Sequence, residues 1–233
     1  MNRIQTLVDS YVQQQLTCRD KYNKQDVKQM TDKLNEQSGV LLQGHIKIHN
    51  PETGEVIVDK RNAIHYENMS ISLAESLGNA GTGWIYQMGF GNGGTSVDPT
   101  GIITYLTPNS TGTNASLYNE TFTKVVDDRS VNNLDPARNK IETRHVSGTN
   151  YTDILVTCLL DYSEPNGQDA FDTATSADSL YVFDELGLRA YSADGAGRLL
   201  THVIFHPVQK SLNRLIQIDY TVRVQSLTGF NGE

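Results

Sequence analysis

Two cysteines, one tryptophan and no long apolar run narrow what this chain can be before any motif is read. Cys18 and Cys158 lie far apart, so a disulfide framework is not expected. Cys158 alternates with Ile154, Val156 and Leu160 in a predicted strand, which points to a buried free thiol. No stretch approaches the ~18 apolar residues of a membrane-crossing helix. The opening Met-Asn-Arg-Ile-Gln-Thr-Leu also lacks the apolar core of a secretory leader. A chain made in the cytoplasm, with no membrane partner, is the expectation. Positive charge is scarce too: 19 Lys and Arg stand against 27 Asp and Glu, a net charge of −8. Sequence-independent nucleic-acid binding relies on clustered Lys and Arg, and no basic run occurs, so no direct nucleic-acid contact is expected.

Chemistry is equally sparse. There is no Gly-x-Ser-x-Gly elbow to present a nucleophile, and no complete calcium loop. Gly89-Phe-Gly-Asn-Gly-Gly94 looks like a phosphate loop, which must open a helix whose N-terminus holds the phosphates. Here Thr95-Ser-Val-Asp-Pro-Thr-Gly101 follows, with no Gly-Lys-Ser/Thr ending, and Pro99 and Gly101 oppose an immediate helix. These glycines are instead expected at a chain reversal that needs positive φ or close backbone approach. His45 and His49, like His202 and His206, are four residues apart. On strands that spacing starts the imidazoles ~13 Å apart, too far to share one ion. Asp127-Asp128, Asp161 with Glu164, and Asp184-Glu185 are the carboxylate pairs that a fold could bring together. Asp153, Asp161 and Asp184 read as strand-end or rim positions. No catalytic residue, cofactor or metal is therefore expected.

What the chain does have is strand pattern. In Arg214–Gln225, Ile216, Ile218, Tyr220, Val222 and Val224 alternate with Gln217, Asp219, Thr221, Arg223 and Gln225, placing the two sets on opposite faces. Leu199–His206 reads as a strand ending at Pro207, Tyr181–Leu188 as another, and Tyr191–Gly197 as turn-rich. Val40–His49 and Glu55–Asp59 flank Asn50-Pro-Glu-Thr-Gly54, a hairpin signal with Pro second and Gly last. A short helix is expected from about Asn68 to Leu77, and strands at 84–90, 122–126, 140–146 and 154–161. The segment 91–119 is dense in Gly, Asn, Ser, Thr and Pro. A loop that long is usually functional or ordered by a partner. About eight or nine strands with short turns favour a mainly β fold, an antiparallel β-sandwich or partly open barrel, over a parallel α/β sheet.

An N-terminal helical extension over residues 1–38 is expected to precede this β domain of 39–233. Ile4, Leu7, Val8, Tyr11 and Val12 form an apolar stripe at helical spacing, and Val27, Met30 and Leu34 a second. Such narrow stripes need a partner, on their own domain or on a neighbouring subunit. Apolar content is modest: counting Gly and leaving out Tyr gives roughly 40%, against ~45–50% for typical globular chains. That deficit fits long polar loops or a subunit completed by its neighbours.

Several segments together resemble structural proteins of tailed-bacteriophage virions. Gly44-His-Ile-Lys-Ile-His-Asn-Pro-Glu-Thr-Gly-Glu-Val-Ile-Val-Asp-Lys-Arg-Asn-Ala-Ile64 looks like their opening hairpin leading into a small helix. Met88–Thr95 with Ser116-Leu-Tyr-Asn-Glu120 resembles their glycine-rich turn and later Leu-x-x-Glu segment. Phe183–Leu188 and Gly197–Phe205 resemble the closing hairpin, and Ile218–Val224 the last strand. The resemblance covers residues 40–225 and implies a non-enzymatic virion subunit at the neck, collar, tail or baseplate, often ring-forming or carrying fibres. It also implies a homo-oligomer whose further partners are portal or neck, tail and fibre proteins. The expected assembly contacts are Ile4, Leu7, Val8, Tyr11 and Val12; Asn92, Tyr105 and Tyr118 in the long loop; and Gln217, Thr221 and Arg223 on the outer face of the last strand. The long loop and the helical stripe would gain order on assembly.

A rival of a different class is a glycan-binding or glycan-degrading β-sandwich acting at a host surface. It needs an exposed aromatic platform, for which Trp84, Tyr86, Tyr105, Tyr118 and Tyr151 are the candidates. A lone tryptophan in a strand is more often core.

Overall fold

Why the chain becomes a β protein is visible in its last strand. Ile216, Ile218, Tyr220 and Val222 are all buried, while Gln217, Asp219, Thr221 and Arg223 face the other side. In a computed structural model describing residues 39–162, 164–165, 180–211 and 213–227, that alternation recurs in β1 (Gly39–His49). There Leu42, Gly44, Ile46 and Ile48 fall on one face, and the three apolar residues pack into the core. The expected helices of residues 3–37, with Ile4, Leu7, Val8, Tyr11, Val12 and Cys18, lie outside the described residues.

Among the described residues twelve strands and one helix follow in order. β1 turns at Asn50–Gly54 into β2 (Val56–Ile64), which leads to the helix α1 (Tyr66–Leu77). Then come β3 (Ile85–Gly91), β4 (Thr95–Val97), β5 (Ile103–Tyr105), β6 (Glu120–Val125), β7 (Lys140–His145), β8 (Tyr151–Leu160), β9 (Leu180–Ser192), β10 (Gly195–Leu199), β11 (Thr201–Ser211) and β12 (Ile216–Leu227). The expected hairpin at Asn50–Gly54 forms. Asn50 Oδ1 accepts from the Glu52 and Thr53 amides, and Gly54 takes the left-handed φ of 74° that closes it.

Ten strands form a single antiparallel sheet in the order β6-β3-β9-β11-β2-β1-β12-β8-β7, with β10 added beside β9. The expectation of two packed sheets is corrected: one strongly curled sheet makes a half-barrel, so the partly open barrel describes it better. Each strand twists against its neighbour, and the accumulated twist turns one face inward. That face carries the core, including Met88, Phe90, Phe183, Leu186, Leu188, Val203 and Phe205 besides the residues of β1 and β12. Residues Leu41–Gln225 form one structural unit. Of the other unit, only Gly39–Val40 and Ser226–Leu227 are described, as the ends of β1 and β12.

Two local corrections have clear physical causes. β11 does not stop at Pro207 but runs on to Ser211. Ile204 pairs with Glu185 and Val208 with Phe183, so Phe205, His206 and Pro207 together face Asp184. Pro207 has no N–H for the ladder, and a bulge accommodates it without ending the strand. The helix also begins earlier than expected, because His65 caps it. Its Nδ1 accepts from the Asn68 amide at 3.2 Å, a role usually filled by Ser, Thr, Asp or Asn.

Candidate functional site

The segment 91–119, expected to be a long loop, holds the most distinctive local structure. β4 and β5 pair only with each other, forming a two-stranded ribbon apart from the main sheet. Val97 pairs with Ile103 and Thr95 with Tyr105. The turn at its tip is fixed by Asp98, whose Oδ1 accepts from the Thr100 and Ile102 amides and from the Thr100 hydroxyl. The Gly101 amide donates back to the Asp98 carbonyl. These bonds hold the Asp98 carboxyl below its ordinary range, the Thr100 hydroxyl contributing most.

The root of this ribbon is riveted to β9 by two buried carboxylates. Asp184 accepts from the amides of Gly94 and Thr95, at 2.9 Å each, and from the Thr95 hydroxyl. Burial nonetheless leaves its carboxyl above the ordinary range. Glu185 Oε1 accepts from the Gly93 and Asn119 amides; Oε2 accepts from the Tyr118 amide and from His202 Nε2 at 2.9 Å. Burial pushes the Glu185 carboxyl up, but those four donors outweigh it, His202 foremost, and the group sits below its ordinary value. His202 Nδ1 accepts from the Asn109 amide at 2.8 Å, so the proton resides on Nε2 and the ring donates it to Glu185.

The second half of the loop is anchored in the same manner. The other nitrogen of His65, Nε2, donates to the Gly112 carbonyl at 2.9 Å, so one imidazole both caps α1 and holds the loop. Tyr118 donates its hydroxyl to the Thr107 carbonyl, Asn109 its amide to the Ser116 carbonyl, and Leu117 is buried. Arg189, also buried, reaches Glu120, Ser116 and the Gly197 carbonyl. The loop is thus held by bonds within its own chain.

The glycines of 89–94 serve close approach alone; none has a positive φ. A Cβ on Gly91 would lie 2.5 Å from both the Asn119 carbonyl and Glu185 Oε1, and one on Gly93 would lie 2.7 Å from Tyr118 Cβ. Small residues here let the loop lie directly on the carboxylates.

The sequence candidates separate as follows. Tyr105 and Tyr118 are exposed, one on the ribbon and one at its root, and Asn92 bonds Asn119 beside them. Gln217, Thr221 and Arg223 lie far along β12, a central strand between β1 and β8. Gln217 donates to Asp219, which also meets His49; Arg223 forms a two-pronged pair with Asp153 and lies 3.9 Å over the Tyr151 ring. Gln217 and Arg223 therefore already serve lateral bonds within the chain. Asp184 is no rim residue but buried in mid-strand, and Glu185 with it. Sequence reading missed them because a charged pair inside a strand looks solvated unless its donors, 17 to 92 positions away, are known.

The remaining carboxylates and imidazoles do not converge. Asp127 binds Trp84, Asp161 pairs with Arg138, and Glu164 with Lys124. His45 meets Asp59 and His206 meets Tyr105. Among the described residues no group of three potential metal ligands occurs. Cys158 is fully buried, and burial pushes its thiol up to about 12.

A second feature lies at the other end of β9. A cavity of about 700 Å³ opens between α1, the 127–132 loop and the inner faces of β3, β7, β8 and β12. Its walls are largely apolar, among them Leu73, Ile85, Ile141, Ile154 and Val224. Trp84 lines it with one face stacked on Tyr191, 4.5 Å between centroids, and its Nε1 donating to Asp127. Tyr86 meets Tyr191 edge-on. Trp84 is 39% exposed, neither core nor an open platform. The aromatic face needed for glycan stacking is thus shared with a neighbouring ring.

Comparison with protein-family models, with curated proteins and with solved structures finds no match for this chain.

Proposed function

We propose that this protein is a non-enzymatic structural subunit that assembles with copies of itself, in the setting its sequence resembles: a ring-like oligomer at the neck, collar or tail of a tailed-phage virion, binding portal, tail or fibre proteins. One observation carries the reading. The β4–β5 ribbon is rooted on buried, fully bonded Asp184 and Glu185, yet it presents Val97, Ile102, Tyr105 and Leu106 to solvent. A lone two-stranded hairpin is at best marginal in water. An apolar ribbon anchored at its root on β9 and β11 is suited to being covered by another molecule, and a preformed shape lowers the ordering cost of binding. The buried polar network supports the same reading, since Glu185, His202 and Arg189 spend their polar atoms on positioning loops.

The direct test is mass spectrometry and cryo-EM of purified particles from cells making the protein. The expected result is a stoichiometric ring of this chain on the particle axis. Its absence from particles, with a purified chain that stays monomeric at high concentration, would overturn the reading.

A further inference from the structure

The ribbon and the cavity are two apolar features of one chain, one convex and one concave. The ribbon is not seated in its own cavity: Val97 and Ile102 are each 62% exposed. Its root is at Glu185 and the cavity wall at Tyr191. Six residues of strand separate them, ~20 Å at 3.3 Å per residue. We infer that the ribbon of one copy enters the α1-side cavity of the next, so that the assembly grows head to tail. This deepens the assembly reading and rests on it.

Three observations favour a second copy as the occupant. First, each surface supplies what the other lacks. Val97, Pro99 and Ile102 at the tip have no apolar cover, whereas Leu73, Ile85, Ile141, Ile154 and Val224 line a space with room for several side chains. Second, a cation stands at the opening. The only ionised group of the ribbon is Asp98, and among the described residues lining the cavity Arg129 stands beside Asp127 and Asp128, of which Asp127 is already taken up by Trp84 Nε1 and the Arg129 amide. The Arg129 guanidinium makes no ion pair among the described residues, although Asp128 stands next to it at the opening. Third, the tip is preformed. Its turn is held by the three bonds to Asp98 Oδ1, so little conformational freedom is lost on entry. Apolar patches that meet a pocket elsewhere on an identical molecule make heterologous contacts, and these close into rings when the rotation between copies permits.

The test uses the full-length protein and two surface variants, each made at exposed positions so that the fold is kept. The ribbon variant is Val97→Arg with Ile102→Arg. The cavity variant is Val131→Arg with Thr143→Arg, both residues lining the opening. Light scattering coupled to size exclusion reads mass, and thermal melting checks that each variant folds as the parent does; should the cavity variant fail that check, Arg129→Glu replaces it. The expected result is a parent that forms higher oligomers, two variants that are monomers, and an equimolar mixture that stops at the heterodimer. A mixture of this kind keeps one intact ribbon and one intact cavity, enough for a single contact. Parent-like oligomers from either variant would overturn the ribbon-in-cavity contact while leaving the assembly reading standing. So would a mixture that remains monomeric, or a parent whose cavity retains a small molecule in native mass spectrometry. A parent that is monomeric at every concentration would overturn both.

Discussion

Glu185 Oε2 and His202 Nε2 lie 2.9 Å apart, and neither side chain is exposed to solvent. The Asn109 amide on His202 Nδ1 makes the ring a neutral donor, so the pair is a carboxylate accepting four hydrogen bonds rather than a general base awaiting a substrate. Both imidazole nitrogens are occupied. The same geometry that would suit a catalytic dyad here serves to hold three loop segments on one strand.

Removing that carboxylate should therefore be costly. Glu185→Ala leaves His202 and the amides of Gly93, Tyr118 and Asn119 without their acceptor. A loss of about 3–5 kcal/mol in unfolding free energy is expected, as for breaking buried charged partners. Glu185→Gln keeps the shape and one acceptor oxygen, and should lose roughly 1–3 kcal/mol. Urea denaturation followed by circular dichroism measures both; equal stability of Glu185→Ala and the parent would refute the role of the network.

The pH dependence follows in sign. The folded carboxyl of Glu185 lies below its ordinary value of 4.5, so the unfolded chain binds the proton more readily. Its contribution is fully present above that value and is lost as pH falls through the lower folded one. Asp184 runs the other way: burial raises it above 3.8, so its contribution declines as pH rises through that region. Melting temperatures between pH 3 and 6 should fall more steeply on acidification in the parent than in Glu185→Gln. Parallel curves would show that Glu185 is not the group responsible.

Gly91→Ala tests the close approach of the loop. The added methyl would meet Asn119 O and Glu185 Oε1 at 2.5 Å, and backbone and carboxylate must both move. A loss of about 1–3 kcal/mol is expected from such overpacking. Gly54, by contrast, has a positive φ and faces open space, so Gly54→Ala should show only the cost of its backbone conformation, ~1 kcal/mol. The comparison of the two by denaturant melts separates contact from conformation.

Cys158 should be inert in the folded protein. Its thiol is fully buried and shifted up to about 12, so almost no thiolate exists near neutral pH. Iodoacetamide labelling at pH 8, read by peptide mass, should leave Cys158 unmodified in native protein and modify it fully in denaturant. Rapid native labelling would contradict its burial.

The single tryptophan reports on the cavity. Trp84 stacks on Tyr191 and lines that space, so its emission should shift to shorter wavelength when the cavity is filled. Emission spectra across a dilution series of the parent are expected to change with oligomer mass, and those of the Val97→Arg, Ile102→Arg variant to stay constant.

The alternation in residues 214–225 specified β12 and its buried face, and that of Ile154, Val156, Cys158 and Leu160 the burial of Cys158, because a period of two is a local property that burial on one side imposes. Asn50–Gly54 specified the first hairpin and Gly78 the end of α1, for equally local reasons. The sheet's closure into a half-barrel was not local, since β3 pairs with β9 and β11 with β2 across wide sequence gaps, and twist accumulated over ten strands sets the curvature. Nor could the sequence show that Asp184 and Glu185 are buried. A carboxylate becomes tolerable in a core only when enough donors reach it, and those at Gly93, Gly94, Thr95, Tyr118, Asn119 and His202 converge through the tertiary fold alone. Sequence by itself determined most strands of the main sheet and the apolar face of those with clean alternation, because both are local properties. Only the tertiary structure decided that the glycine-rich loop is a rigid ribbon, because its rigidity comes from bonds to residues far away in the chain.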